Sequence, residues 1–170
     1  MGNEGHDIGD NAPHRLVGRD AVATGVADIL GRAHRFVSIY APMLEPTYFN
    51  TPAVREALAH LTAGGRPNAA RILVEQGDAT VRNNGRIADL AQRMSGFVQI
   101  RELSEETPAT MEMYVLIDRD GYLHQKDTGT PQCIIDFSTA SQRGALARRF
   151  DQLWERSQPI PGLHVTGLSR

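Results

Sequence analysis

A histidine and a lysine stand two residues apart in His124-Gln125-Lys126, and carboxylates flank them in the chain at Asp118 and Asp136. An imidazole, an ammonium and a carboxylate are groups that can transfer protons and hold an anion. Gathered in one groove, His124, Lys126 and Asp118 or Asp136 would make a candidate site. A second stretch, Asn83-Asn84-Gly85-Arg86, opens a helix. There Asn84, Gly85 and Arg86 could offer helix-end amides and a guanidinium to an anion. The plainer reading is an asparagine N-cap.

The other polar residues exclude more than they suggest. The six histidines are scattered, with no i, i+4 pair on one helix, and there is one cysteine, so no metal-ligand set is visible and no cofactor is implied. Cys133 lies in the apolar run Cys133-Ile134-Ile135 and reads as a buried, inert thiol. Arg143, Arg148, Arg149 and Arg156 are interleaved with Asp151 and Glu155 along the last helix, which reads as a solvated, ion-paired face. The net charge of −2 and pI near 6.3 give no field for a polyanion, so nucleic acid is the less favoured partner.

The elements that must position these residues follow from periodicity. Val22, Val26, Ile29, Leu30 and Ala33 make one face of a helix over Asp20–His34. Phe36–Tyr40 is a strand, and Pro42–Asn50 a loop. Thr51 caps a helix that Pro52 begins and Gly64-Gly65 ends. Arg71–Glu75 is a strand, Gly77–Asn84 a polar turn region, and Ile87, Leu90, Ala91 and Met94 a third helix. Phe97–Leu103 is a strand and Ser104–Ala109 a loop. Met113–Asp118 is the most apolar strand, and Arg119-Asp120-Gly121 a hairpin turn in which Asp-Gly supplies positive φ. Tyr122–His124 returns antiparallel, Cys133–Phe137 is a further strand, and Thr139–Arg156 closes the chain as a helix.

Alternating α and β followed by strands without intervening helices predicts an α/β fold with a mixed central sheet and helices on both faces. The chain of 170 residues, 41% hydrophobic and 22% charged, suits one such domain. The expected divisions are a flexible amino-terminal segment over 1–18, the α/β domain over 19–157 and a tail over 158–170. The polar start MGNEGHDIGDNAP lacks a basic n-region and an apolar h-region, and His6 stands where a myristoylation signal needs Ser or Thr. No apolar run approaches the ~20 residues of a membrane helix. A cytoplasmic protein without membrane contact is the expectation.

The run Tyr114-Val115-Leu116-Ile117-Asp118, the turn Arg119-Asp120-Gly121 and the late Phe150-Asp151-Gln152-Leu153-Trp154-Glu155 resemble the phospholipase D-like superfamily over roughly Val22 to Ser157. That resemblance implies a His-x-Lys-x4-Asp motif on the strand ending at Asp118. In the family the histidine attacks phosphorus, the lysine holds phosphate oxygens, and a second copy of the motif supplies the acid. Counting back from Asp118, the two positions are Met111 and Met113. A thioether neither transfers a proton at neutral pH nor carries charge. The family's Gly-Ser-x-Asn pattern is also missing, with Lys126–Thr130 as its nearest positional relic. His124-Gln125-Lys126 begins like the motif, yet Pro131 stands where its aspartate belongs.

Met111 and Met113 share a strand face that in active relatives looks into the cleft. With Tyr114 and Asp118 they would line a degenerate cleft, or simply fill the core; Asp118 could instead cap backbone amides at its turn. Active relatives pair two motif-bearing halves, within one chain or across a homodimer, and this chain has one. The resemblance therefore implies a non-catalytic domain that forms a homodimer through the neighbourhood of Met111–Asp118 and binds a protein or small ligand. A phosphodiesterase or nuclease with a rearranged site using His124, Lys126 and an acidic residue such as Asp118 or Asp136 stands as the alternative.

Overall fold

The structure is a computed structural model that describes residues 12–138, 141–161 and 163. In chain order the elements are β1 (His14–Val17), α1 (Arg19–Gly31), β2 (Val37–Ala41), α2 (Pro46–Phe49), α3 (Pro52–Thr62), β3 (Ala70–Val74), α4 (Gly77–Asn83), α5 (Gly85–Arg93), β4 (Val98–Glu102), β5 (Met113–Ile117), β6 (Tyr122–Gln125), β7 (Gln132–Asp136), α6 (Ser141–Glu155) and β8 (Gln158–Pro159). All eight strands form one sheet in the order β1-β7-β6-β5-β2-β3-β4-β8. β2, β3 and β4 run parallel, joined by helical crossovers, and every other pairing is antiparallel. The mixed α/β architecture is the expected one.

The two faces of the sheet hold separate cores. Val22, Val26, Ile29 and Leu30 of α1, Val54, Leu58 and Leu61 of α3, and Ile87 and Leu90 of α5 pack on Ile39, Ile72, Val98, Val115 and Leu123. On the other face Leu146 and Phe150 of α6 pack on Tyr40, Leu73, Tyr114, Leu116 and Tyr122. β2 and β5 are buried throughout because helices cover both sides, which explains their unbroken apolar runs.

Several boundaries differ from expectation for local reasons. His14–Val17, placed in a flexible segment by its polar surroundings, is an edge strand antiparallel to β7, with Leu16 opposite Cys133. The close approach of α1 fixes it there: a Cβ on Gly25 would lie 2.5 Å from Leu16 Cδ1. Residues 1–11, most of the polar start, lie outside the described residues. Within the expected loop 42–50 the Glu45 side chain accepts from Thr47 N at 3.4 Å and starts the short α2. The expected polar turn at 77–84 is α4 followed by Asn84, and Thr80 and Asn84 are buried despite their polarity. At 119–121 the positive φ belongs to Asp118, at 45°, and not to Gly121. Gly121 is required by space instead, since a Cβ there would come within 2.7 Å of Ile117 Cγ1.

Candidate functional site

β5 lies at the centre of the sheet, and its alternation decides which residues can meet. Met113 pairs with Gln125 across β6 and points into the larger core, 2% exposed. The loop 42–50 closes over that end: Leu44, Tyr48 and Phe49 are buried in the same core, and the Arg19 guanidinium sits 5.6 Å from the Tyr48 ring centroid. Met111 precedes the strand and is 59% exposed. The two methionines therefore do not line a cleft together.

Asp118, at the far end of β5, is separated from them by the whole strand. Its carboxylate accepts from the backbone N–H groups of His34 (2.9 Å), Arg35 (2.7 Å) and Phe36 (3.0 Å), and so pins the connection between α1 and β2. Burial opposes the ionised form, but the three amides outweigh it and hold this carboxyl below its ordinary range. Asp118 does cap amides, although those of a distant segment and not of its own turn.

The polar chemistry lies on the opposite face, carried by the residues that alternate with the methionines. Glu112 Oε2 accepts from His124 Nε2 at 3.0 Å, and Glu112 Oε1 accepts from Arg149 of α6. Because a carboxylate only accepts, the proton of the neutral ring sits on Nε2. Tyr114 lies beneath: its ring meets His124 edge-on at 6.1 Å and stacks with Tyr40 at 5.2 Å, while the Arg149 guanidinium lies 5.8 Å from its centroid. Burial pushes the Tyr114 phenol up to about 12, with Arg149 opposing. Next to it Tyr40 donates to Glu75, and Glu75 Oε2 accepts from Thr110 N at 3.0 Å. His124 is 5% exposed. Burial lowers its pKa, Glu112 opposes that, and the charges of Lys126 and Arg149 push it down further.

Of the expected alternative site, His124 and Lys126 do share one cavity, of about 270 Å³. Asp136 does not join them. It pairs with Tyr122 at the other end of β6, and its Oδ1 accepts from Ser138 N at 2.9 Å and Ser138 Oγ at 2.6 Å. The carboxylate next to His124 is that of Glu112. At the expected anion site, Arg86 N donates to Asn50 Oδ1 at 3.1 Å, and the Arg86 guanidinium to Asn50 O at 3.3 Å. Asn84 makes no cap either, since its side-chain amide donates to Leu44 O and Thr80 O, both at 3.0 Å. Nor is the arginine row of α6 a purely solvated face. Arg143 donates to the carbonyls of Ile117, Asp118 and Gly121, and Arg149 is held by Glu112. Cys133 is buried, which pushes its thiol up to about 12.

The fold these residues occupy is phospholipase D-like. Similar solved structures include Nuc from Salmonella typhimurium, a phospholipase D family member, at 12% identity and TM-score 0.63, covering 88% of this chain and 99% of that one. NucT from Helicobacter pylori matches at 10% and 0.62, again covering 88% and 99%. TrmBL2, an archaeal chromatin protein whose structure shows a novel mode of DNA binding, matches at 11% and 0.62 over 87% of this chain and 54% of that one. At such identities the likeness is one of fold alone. No curated protein matches the sequence. The chain belongs to the family described as a domain of unknown function (DUF7931), whose model matches residues 18–165. Among the described residues no helix is long and apolar enough to cross a membrane.

Proposed function

We propose that this chain is a non-catalytic phospholipase D-like domain that acts by binding and works as a homodimer. The observation that carries this reading is Met113. At the position where the resemblance calls for a phosphate-holding lysine, an uncharged thioether is buried in the same core as Tyr48 and Phe49. No phosphate could reach it, and it would offer no charge if one did. The homodimer rests on the pairing of two halves that the resemblance implies, and Met111, 59% exposed beside β5, is compatible with it. A second reading, a phosphodiesterase with a rearranged site, is favoured by the Glu112–His124 contact and by Lys126 in the same cavity. Against it, the His124 ring is buried and its Nε2 is already engaged.

Two measurements on the full chain test the reading. Incubation with bis-nitrophenyl phosphate or single-stranded DNA, without metal, should give no hydrolysis above buffer. Turnover that disappears in His124→Ala would overturn the non-catalytic assignment. Light scattering at micromolar concentration should give about twice the subunit mass of 18.7 kDa. A mass of one subunit would overturn the homodimer.

A further inference from the structure

α6 covers only part of its face of the sheet, over β2, β3, β5 and the start of β6. Beyond it the β6-β7-β1 surface stays open: Arg15, Lys126 and Thr130 are exposed, and Val17 is 64% exposed. We propose that the hollow on this open surface binds a small organic dianion. The proposal rests on the reading of the chain as a binding domain and assigns that role a site away from Met111 and Met113.

The strand register builds the hollow. Arg15 of β1 lies opposite Ile134 of β7, and Ile134 lies opposite His124 of β6, so three side chains stand in one row across three strands. Two strand spacings put the ends of that row about 10 Å apart. Lys126 follows His124 by two residues at the end of β6, and Thr130 and Gln132 close the upper rim. The floor is the aliphatic Ile134, flanked by two cations and ringed by a hydroxyl and a carboxamide. The volume of about 270 Å³ lies just below the ~300–1,000 Å³ typical of sites for drug-sized ligands, so it suits a compact ligand.

Charge decides the ligand class. Neither Arg15 nor Lys126 has an ion-pair partner among the described residues. One carboxylate, Asp127, also lines the rim, with Oδ1 accepting from Gly129 N of its own loop at 2.9 Å, and the two cations outnumber it. His124 adds no third charge, because burial favours the neutral ring, whose Nε2–H donates to Glu112. Two unpaired cations thus face one concave, partly apolar surface. A ligand with two negative charges and a short aliphatic body matches it, whereas a monoanion would leave one cation unpaired.

The experiment is calorimetric titration of the full-length protein with succinate and with glycerol 3-phosphate, using acetate as the monoanion. Saturable binding of at least one dianion is expected, weaker by about tenfold in Arg15→Gln and in Lys126→Gln, and diminished by added salt. Arg148→Gln, on the exposed side of α6, should bind like the parent. Binding of either dianion with this pattern supports the site and tells a dicarboxylate from a phosphate ester. The site is overturned if neither dianion binds at millimolar concentration, if both substitutions leave the affinity unchanged, or if acetate binds equally well. Thermal melting of each variant separates lost binding from lost fold. Hydrolysis assays on the same samples keep the two readings apart: absent binding without turnover removes only this site, whereas turnover removes the non-catalytic reading.

Discussion

On the side of the sheet covered by α1, α3 and α5, buried apolar side chains from Val22 to Leu90 form one core that includes Met113. On the other side a single helix, α6, rests on aromatic rings, and polar groups meet at its edges: Glu112 with His124 and Arg149, Tyr40 with Glu75, and Arg143 with the carbonyls that end β5. The two sides are read from one strand by alternate residues. Met113, Val115 and Ile117 serve the first core, and Tyr114 and Leu116 the second. Where the resemblance expects a lysine, Met113 is packed in the core, and the charged Glu112 lies one residue away in sequence and on the other face of the sheet. A shared fold therefore leaves open which face of it carries function.

The sharpest way to break this contrast is to restore a charge on the sealed side. Met113→Lys puts an ammonium among apolar groups with no carboxylate to meet it, which should destabilise the fold by at least about 3 kcal/mol. Urea unfolding should show the midpoint falling with an unchanged m-value. A loss below about 1 kcal/mol would mean that solvent reaches position 113, and the division into a packed and a polar side would fail.

A smaller effect is expected at Asp118, where β5 leaves the sheet. Asp118→Asn keeps the shape but faces three amide donors with a group that is half donor itself. A loss of about 2 kcal/mol is expected, after discounting for partial exposure. The amides hold the pKa of this carboxyl down, so its contribution is present at neutral pH and is lost as pH falls below the ordinary aspartate value and through the depressed one. The stability of the parent and of Asp118→Asn should therefore converge in acid. A constant gap from neutral pH to acid would rule out the carboxylate as the cause.

How far the sequence reveals these features depends on whether a signal is local. Helices with an apolar stripe and a capped start, such as α3 with Thr51 Oγ1 accepting from Val54 N at 3.2 Å, are visible because every cause lies within one turn. The edge strand β1 is not, because Leu16 is placed by the absent side chain of Gly25 and by a register with β7 more than a hundred residues away. Among site residues the methionines are visible by counting along a single strand. The partnership of Glu112 with His124 and Arg149 depends on how β5, β6 and α6 come together, and no spacing in the chain encodes it. Arg143 and Arg149 look like surface charge for the same reason: a helical repeat marks the polar side of α6, yet not which of its arginines reach back to the sheet.

The finest test concerns His124 itself. Its ring is buried and its pKa lies below the ordinary histidine value, since burial together with the charges of Lys126 and Arg149 outweighs Glu112. The unfolded chain takes up a proton near pH 6.5, and the folded chain resists until a lower pH. The contribution of this group is therefore complete above about pH 6.5 and drains away as pH falls toward the folded value, with a slope of at most about 1.4 kcal/mol per pH unit. His124→Gln removes the titration and should flatten the stability profile in that window, measured by urea unfolding at a series of pH values. If the parent instead gained stability on mild acidification and His124→Gln abolished the gain, the Glu112 carboxylate would dominate and the ring would carry charge at neutral pH. The polar side of the sheet would then hold a Glu112–His124 ion pair and three neighbouring cations, and the balance of two free charges in the open hollow would have to be redrawn.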